Sequence, residues 1–195
     1  MTNMRSAVNA HLNTRQLITL LLAASMILTM LNACSSAEPT ATTLSNGAKA
    51  PEVRTVTADG KTISLSDHRG NLVLLAFWDS GNMTARRNHP ELQRLYDTYK
   101  DADFKEAKGF CVYSVSLDTD KTKWLSAVQE DGISWTCQTI DTAGWNAESA
   151  TAYQVNYTPR YFLIDGSGEI ISRHVSIAEL DELLSERLDK RSSRP

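Results

Sequence analysis

The hydrophobic positions beyond residue 50 alternate between strand-like and helix-like spacing. Leu72–Trp78 is an unbroken apolar run of strand length, which is typical of a central parallel strand buried on both faces. Residues 83–100 instead place apolar side chains three or four positions apart, at Leu92, Leu95 and Tyr99. That spacing puts them on one face of a helix, so the pattern predicts a strand followed by a long amphipathic helix.

The rest of this region repeats the same alternation. The predicted strands are Val53–Thr57, Thr62–Leu65, Phe110–Leu117, Ile133–Ile140, Phe162–Ile164 and Ile170–Ser172. A further helix is predicted around Trp124, Leu125 and Val128, and a terminal helix over Ile177–Leu188. Strands that alternate with helices favour an α/β domain with mostly parallel strands, which we place at residues 49–190.

The N-terminal segment has a different pattern. Leu17–Leu31 carries no charge and follows Arg5 and Arg15. A basic flank and about 15 apolar residues are typical of a secretory signal peptide and are short for a membrane span. The end of the run, Leu31-Asn32-Ala33-Cys34, resembles the bacterial lipobox, which implies cleavage after residue 33 and lipidation of Cys34. The alternative is a free cysteine behind an ordinary signal peptide.

This interpretation sets the expected organisation and location of the chain. Residues 34–48 are rich in Ser, Thr, Ala and Gly, so we expect a flexible tether, and we expect a disordered tail at 191–195. The predicted location is the bacterial cell envelope, with a lipid anchor in the membrane and the domain facing the periplasm or on the outer membrane.

Composition and charge limit the classes of partner that the chain is expected to bind. The chain has 195 residues, of which 42% are hydrophobic and 22% charged, as in an ordinary globular protein. Its net charge of −3 becomes −5 when Arg5 and Arg15 leave with the signal peptide. The mature chain therefore has no excess of positive charge for a nucleic-acid partner.

Several short motifs in the domain occur in the order seen in one known family. They are Lys49-Ala50-Pro51, Asp59-Gly60-Lys61, Leu65–Gly70, Leu74–Ser80, Val115–Asp118 and Tyr157–Asp165. Together they resemble the TlpA/ResA-like thiol–disulfide oxidoreductases of the thioredoxin and peroxiredoxin (AhpC/TSA) superfamily. The resemblance implies a thioredoxin-like fold, in which helices flank a central mixed, mostly parallel sheet with an N-terminal β-hairpin. It also implies a cis peptide bond at Thr158-Pro159.

The sequence departs from this family at the reacting groups. In the family, the strand leads into Cys-x-x-Cys at the start of the next helix, and here the matching positions hold Asn82 and Ala85. Neither side chain can attack a disulfide or hold a mixed disulfide, because that chemistry needs a thiolate. No cysteine lies between residues 35 and 110, so a peroxidatic cysteine is missing too. We therefore expect a degenerate active site without catalysis at this position, and no cofactor.

The family's cis-proline loop offers backbone groups to an extended peptide, and that surface does not need the cysteines. The resemblance therefore implies a peptide- or protein-binding surface, formed by Asn82, Met83, Thr84, Arg86, Thr158, Pro159 and Arg160. Arg86 or Arg87, with Arg160, could also form an anion site at the helix N-terminus. The alternative is that these arginines are solvated surface charges.

Cys111 and Cys137 allow three interpretations. Both lie in predicted strands that the family fold would place side by side, so they could be buried inert thiols, a structural disulfide or a relocated redox pair. The last of these is the alternative function, a thiol–disulfide oxidoreductase or antioxidant enzyme.

The remaining candidates for chemistry are histidines and tryptophans. The histidines at 68, 89 and 174 lack metal-ligand spacing, so no metal site is predicted and surface or helix-capping roles are expected. Trp124, Trp135 and Trp145 are expected in the core.

Overall fold

A computed structural model of the chain describes residues 44–189. The predicted signal peptide at 1–33, the lipidation site at Cys34 and the tail at 191–195 lie outside the described residues. Within the described range, no helix is both long enough and apolar enough to cross a membrane.

The described residues form seven strands and four α-helices. The strands are β1 (Arg54–Thr57), β2 (Thr62–Ser64), β3 (Leu72–Trp78), β4 (Phe110–Ser116), β5 (Cys137–Ile140), β6 (Arg160–Ile164) and β7 (Ile170–Ser172). The helices are α1 (Met83–Tyr99), α2 (Lys121–Glu130), α3 (Glu148–Ala152) and α4 (Ile177–Arg187). Short 3₁₀ turns cover Leu65–His68 and Gly144–Asn146.

The seven strands make one mixed sheet in the order β2-β1-β5-β4-β3-β6-β7. β3, β4 and β5 are parallel, while β1, β2, β6 and β7 add antiparallel pairs at the two sides. The antiparallel β1–β2 pair is the predicted N-terminal hairpin. The predicted thioredoxin-like α/β fold with a mixed sheet is confirmed. The sheet is not mostly parallel as predicted, because only the β3–β4 and β4–β5 pairs are parallel and the other four pairs are antiparallel.

The central strand β3 carries the core on both of its faces. Leu72, Leu74, Ala76 and Trp78 pack against residues of α1, α2 and α4. The alternating positions Val73, Leu75 and Phe77 face a second cluster, which includes Tyr153 beside α3 and Leu65 of the first 3₁₀ turn. Burial on both faces explains the unbroken apolar run in the sequence.

The start and the buried face of the long helix α1 follow from the sequence. Asn82 is its N-cap, and Ala85, Leu92, Leu95 and Tyr99 form its buried stripe. Pro90 lies inside the helix, where it has no backbone N–H to donate.

Three expectations need correction. The segment predicted as a strand from Ile133 becomes one only at Cys137, because the Gln138 side chain donates to the carbonyls of Ile133 and Trp135 outside the sheet. Residues 44–48 belong to the domain rather than to the tether, since Leu44 is buried and Gly47 and Ala48 hydrogen-bond to Ile170.

The third correction concerns the tryptophans. Trp124 and Trp135 are buried as expected, but Trp145 is 50% exposed. It lies in the 3₁₀ turn Gly144–Asn146, which presents its side chain away from both core clusters.

Candidate functional site

Asn82 lies at the carboxyl end of the central strand, where α1 begins. Its side-chain oxygen Oδ1 accepts hydrogen bonds from the backbone N–H groups of Thr84, at 2.9 Å, and Ala85, at 3.1 Å. These are two of the donors that a helix leaves free at its N-terminus. The Asn82 oxygen therefore already occupies two of the donors that would stabilise an anion at this helix end.

The same side chain also ties α1 to the loop before β6. Its amide nitrogen Nδ2 donates to the carbonyl oxygen of Thr158 at 2.7 Å and to the Thr158 hydroxyl at 3.1 Å. The Thr158-Pro159 peptide bond is cis. Asn82 therefore bridges the helix N-terminus and the cis-proline loop, with both polar ends of its carboxamide engaged.

The loop between β3 and α1 is fixed by two acidic side chains. Ser80 donates from its backbone N–H and its hydroxyl to the Asp118 carboxylate, at 2.9 and 2.7 Å. Asp79 accepts a hydrogen bond from the hydroxyl of Thr158. The loop is thereby held to the end of β4 on one side and to the cis-proline loop on the other.

Arg86 does not take part in an anion site. Its guanidinium lies 2.5 Å from the Asp131 carboxylate and 2.9 Å from that of Glu130. Hydrogen bonds to these two carboxylates raise the pKa of Arg86. The charge of Arg86 is therefore already paired by two carboxylates, while its place in the peptide- or protein-binding surface stays a prediction.

His89 lies beside the same carboxylate and is buried, which corrects the expectation of a surface or capping histidine. Its Nδ1 is 2.6 Å from Asp131, and its ring meets the edge of Trp78 and Trp135. Burial lowers the pKa of His89, against the opposing effect of the Asp131 hydrogen bond. Burial also disfavours ionisation of Asp131, but hydrogen bonds from Arg86 and His89 outweigh it and lower the pKa of that carboxyl.

Arg160 is also placed differently from the prediction. It is only 7% exposed, and its guanidinium lies over the rings of Tyr157 and Phe162, at 5.2 and 5.3 Å from their centroids. It contacts His174 through both ring nitrogens. Arg87 is exposed, with its Nε donating to the Met83 carbonyl. Arg86, Arg87 and Arg160 therefore do not form a single anion-binding site.

Two residues next to this bridge along the chain carry large, exposed side chains. Met83 is 63% exposed and Tyr157 is 53% exposed. They are the chain neighbours of Asn82 and Thr158, whose side chains are hydrogen-bonded to each other. We call the set formed by Asn82, Met83, Thr84, Tyr157, Thr158 and Pro159 the Asn82 surface.

A second group of reactive side chains lies elsewhere in the sheet. β4 and β5 are neighbours, and Cys111 and Cys137 are free thiols with their Sγ atoms 3.5 Å apart. Nδ1 of His68 lies 3.7 Å from Sγ of Cys111 and 3.9 Å from Sγ of Cys137. The expectation that the fold places the two cysteines side by side is confirmed.

The three groups of this cluster affect one another's ionisation. A hydrogen bond from the Cys111 thiol, helped by one from His68, lowers the pKa of Cys137. The same contact between the sulfurs, with burial, raises the pKa of Cys111. The hydrogen bond to Cys137 raises the pKa of His68. One thiolate is therefore stabilised between a thiol and an imidazole.

The sequence patterns did not predict that His68 lies next to the two cysteines. It ends the 3₁₀ turn before β3, which is 43 positions before Cys111 along the chain. The spacing of these residues along the chain does not match a metal-ligand motif. The order of the strands in the sheet, rather than closeness in the sequence, brings them together. Ligand atoms from His68, Cys111 and Cys137 all lie within 4.8 Å of one another, as a metal site requires.

Comparisons with known proteins agree with this fold. The Redoxin family matches residues 45–184. The thiol-disulfide oxidoreductase ResA of Bacillus thuringiensis subsp. konkukian is 30% identical over 146 residues, which cover 74% of this chain and 77% of that protein.

Solved structures give the same result. The solution structure of a thiol:disulfide interchange protein from Bacteroides sp. has a TM-score of 0.67 and 27% identity, covering 77% of this chain and 96% of that one. A thiol-disulfide oxidoreductase from Bacteroides fragilis has a TM-score of 0.60 and 30% identity, covering 69% and 98%. This chain therefore belongs to the Redoxin family, as a thioredoxin-like member of the TlpA/ResA-like thiol–disulfide oxidoreductases.

Proposed function

We propose that this chain is a thioredoxin-like binding protein that holds a polypeptide at the Asn82 surface without exchanging disulfides there. One observation carries the proposal. The Asn82 carboxamide accepts from the N–H groups of Thr84 and Ala85 and donates to Thr158. It thereby occupies the helix end and closes the helix against the cis-proline loop.

The chemistry of exchange argues against catalysis at this position. A thiol at a helix N-terminus becomes reactive because free N–H groups and the helix dipole stabilise its thiolate. Here the nearest N–H groups already serve an amide oxygen, and Ala85 offers only a methyl group. Neither a nucleophile nor a resolving group is present at residues 82 and 85.

The exposed side chains support binding of a polypeptide. Met83 and Tyr157 are large and more than half exposed, and they are the chain neighbours of Asn82 and Thr158, whose side chains are hydrogen-bonded to each other. A flexible thioether and an aromatic ring are side chains that protein interfaces favour. We therefore propose an extended polypeptide or an envelope protein with apolar side chains as the partner.

The alternative is redox chemistry at Cys111 and Cys137, favoured by their 3.5 Å separation and by the lowered pKa of Cys137. The two cysteines are poorly placed to react with a partner that is bound at the Asn82 surface. Cys111 pairs with Val73 near the start of β3, whereas Asn82 follows the end of that strand at Trp78. Five residues of strand separate the two sites by about 16 Å.

The binding proposal predicts a thiol-independent interaction. We expect the full chain in detergent to bind reduced, carboxymethylated α-lactalbumin, an unfolded polypeptide without free thiols. The Met83→Ser/Tyr157→Ser variant should bind at least about tenfold more weakly, because each apolar side chain in an interface centre contributes about 1 kcal/mol or more. Fluorescence anisotropy of the labelled probe measures the dissociation constants of the parent and of the variant.

Leu125→Ser is the matched control, since Leu125 is 38% exposed on α2 and lies outside the Asn82 surface. This variant should bind like the parent. Equal affinity in all three proteins would refute the Asn82 surface as the binding site. A probe retained only when its own cysteines are free would point to mixed disulfides instead.

We also propose that the chain is an envelope lipoprotein anchored through Cys34. The proposal rests on the lipobox-like Leu31–Cys34 and the apolar run before it. In a bacterial host, the parent should take up labelled palmitate and sediment with membranes, because two or more acyl chains give stable anchoring. Cys34→Ser should do neither, while Cys111→Ser should behave like the parent. Labelling of the Cys34→Ser variant would contradict the assignment.

A further inference from the structure

The cluster of His68, Cys111 and Cys137 lies at the end of the sheet opposite the Asn82 surface. Cys111 is the second residue of β4, and Cys137 is the first residue of β5. His68 is supplied by the 3₁₀ turn that precedes β3. Three separate segments therefore converge on one point that the proposed binding function does not use.

The three ligand atoms have the spacing of a coordination site. Sγ of Cys111, Sγ of Cys137 and Nδ1 of His68 form a triangle with sides of 3.5, 3.7 and 3.9 Å. The centre of such a triangle lies about 2.1 Å from each corner, close to Zn–N and Zn–S bonds of about 2.0–2.3 Å. An ion could therefore bind all three atoms with little movement.

The surroundings hold the imidazole and leave the site accessible. The His68 ring packs edge-on against Tyr113, with 5.6 Å between centroids, and the Tyr113 hydroxyl donates to the Ile63 carbonyl. His68 and Cys137 line a cleft of about 500 Å³. The cleft gives an ion a path of entry and room for a water molecule as a fourth ligand.

The strand register favours a bridging ion over a disulfide. Cys137 pairs with Tyr113 across the two strands, so Cys111 lies two residues before the position opposite Cys137. In regular parallel strands that offset separates the two Cα atoms by about 8 Å, beyond the roughly 7 Å that a disulfide spans without backbone movement. A metal ion joins sulfurs that are farther apart than a covalent bond allows.

We propose that His68, Cys111 and Cys137 form a binding site for a thiophilic d10 metal ion. Imidazole and thiolate together select Zn²⁺ or Cu⁺ over Mg²⁺ and Ca²⁺. Zn²⁺ would complete a tetrahedron with water from the cleft, whereas Cu⁺ would use the three protein ligands alone. Binding releases the remaining thiol protons to solvent and involves no change of oxidation state.

The test uses the full chain in detergent with Cys34→Ser, so that Cys111 and Cys137 are the remaining thiols. Under anaerobic, reducing conditions we expect one Zn²⁺ per chain by competition with a chromophoric chelator, and we titrate Cu⁺ in a second arm. Cys137→Ser and His68→Ala should each weaken binding by at least about 100-fold, since even outer partners of metal ligands contribute 10- to 100-fold. His174→Gln, outside the cluster, should bind like the parent.

A spectroscopic readout on the unmutated cluster guards against variants that fail to fold. Co²⁺ should give sulfur-to-cobalt charge-transfer bands, and X-ray absorption of the Zn²⁺ form should report two sulfur ligands and at least one nitrogen ligand. Binding of Cu⁺ alone would still support the site and identify its ion. Absence of binding by both ions, unchanged affinity in Cys137→Ser, or formation of a Cys111–Cys137 disulfide in air in the presence of equimolar Zn²⁺ would overturn the proposal.

Discussion

With dithiothreitol as the reductant, the Asn82→Cys/Ala85→Cys variant will catalyse the reduction of insulin disulfides at least about tenfold faster than the parent chain at pH 7, whose rate will equal the uncatalysed background. Replacing Asn82 frees the N–H groups of Thr84 and Ala85, which now donate to its side chain. A thiol at that helix end has a pKa near 7 or lower, so its thiolate fraction at pH 7 rises from about 3% to about half. The variant places two thiols at this helix end, where the parent chain has a carboxamide and a methyl group.

The matched control is Asn82→Ser/Ala85→Ser, which also removes the carboxamide but adds no thiol, and which should stay at background. Asn82→Cys alone should trap a mixed disulfide with glutathione and turn over slowly, because no resolving thiol is present. Ala85 is fully buried, so circular dichroism must show that the added sulfur is accommodated. Equal turnover by parent and double variant would place the chemistry elsewhere, and its loss in Cys111→Ser would assign it to the β4 thiol.

Asp131→Ala will lower the free energy of unfolding by about 2 kcal/mol, because this partly buried carboxylate is the acceptor of a buried imidazole and of a partly buried guanidinium. The Asp131 carboxylate is the common partner of Arg86, at 2.5 Å, and of buried His89, at 2.6 Å. Its removal leaves the buried His89 imidazole without its acceptor and leaves Arg86 with Glu130 as its remaining carboxylate partner, at the C-terminal end of α2. Urea denaturation followed by tryptophan fluorescence measures the change.

Asp97→Asn is the control. Its ion pair with Lys100 is on the surface, so the substitution should have no measurable effect on stability.

The pH dependence of the stability is a second check. The folded pKa of Asp131 is below its ordinary value of 3.8, so its ionised form contributes fully above that pH and the contribution is lost as the pH falls through the folded pKa. The difference in stability between parent and variant should therefore narrow as the pH falls below 3.8. A constant difference down to pH 2 would show that packing, rather than charge, accounts for the loss.

The sequence alone determined the elements whose patterns are local. Leu72–Trp78 is buried on both faces, so its apolar run gave both ends of β3, and the stripe through Leu92, Leu95 and Tyr99 gave α1. The identity of residues 82 and 85 was likewise enough to exclude thiol chemistry there, because a nucleophile is a property of the side chain itself.

Only the tertiary structure decided what the remaining polar groups contact. Arg86 and Arg160 have the chemistry of an anion site, but Asp131 is 45 positions from Arg86 and His174 is 14 positions from Arg160, and pairing across such distances leaves no periodic signal. His68, Cys111 and Cys137 became neighbours because strand order and register brought β4, β5 and the turn before β3 to one point. Burial patterns are repeated along the chain and can be read locally, whereas a contact between two distant side chains depends on the whole path between them.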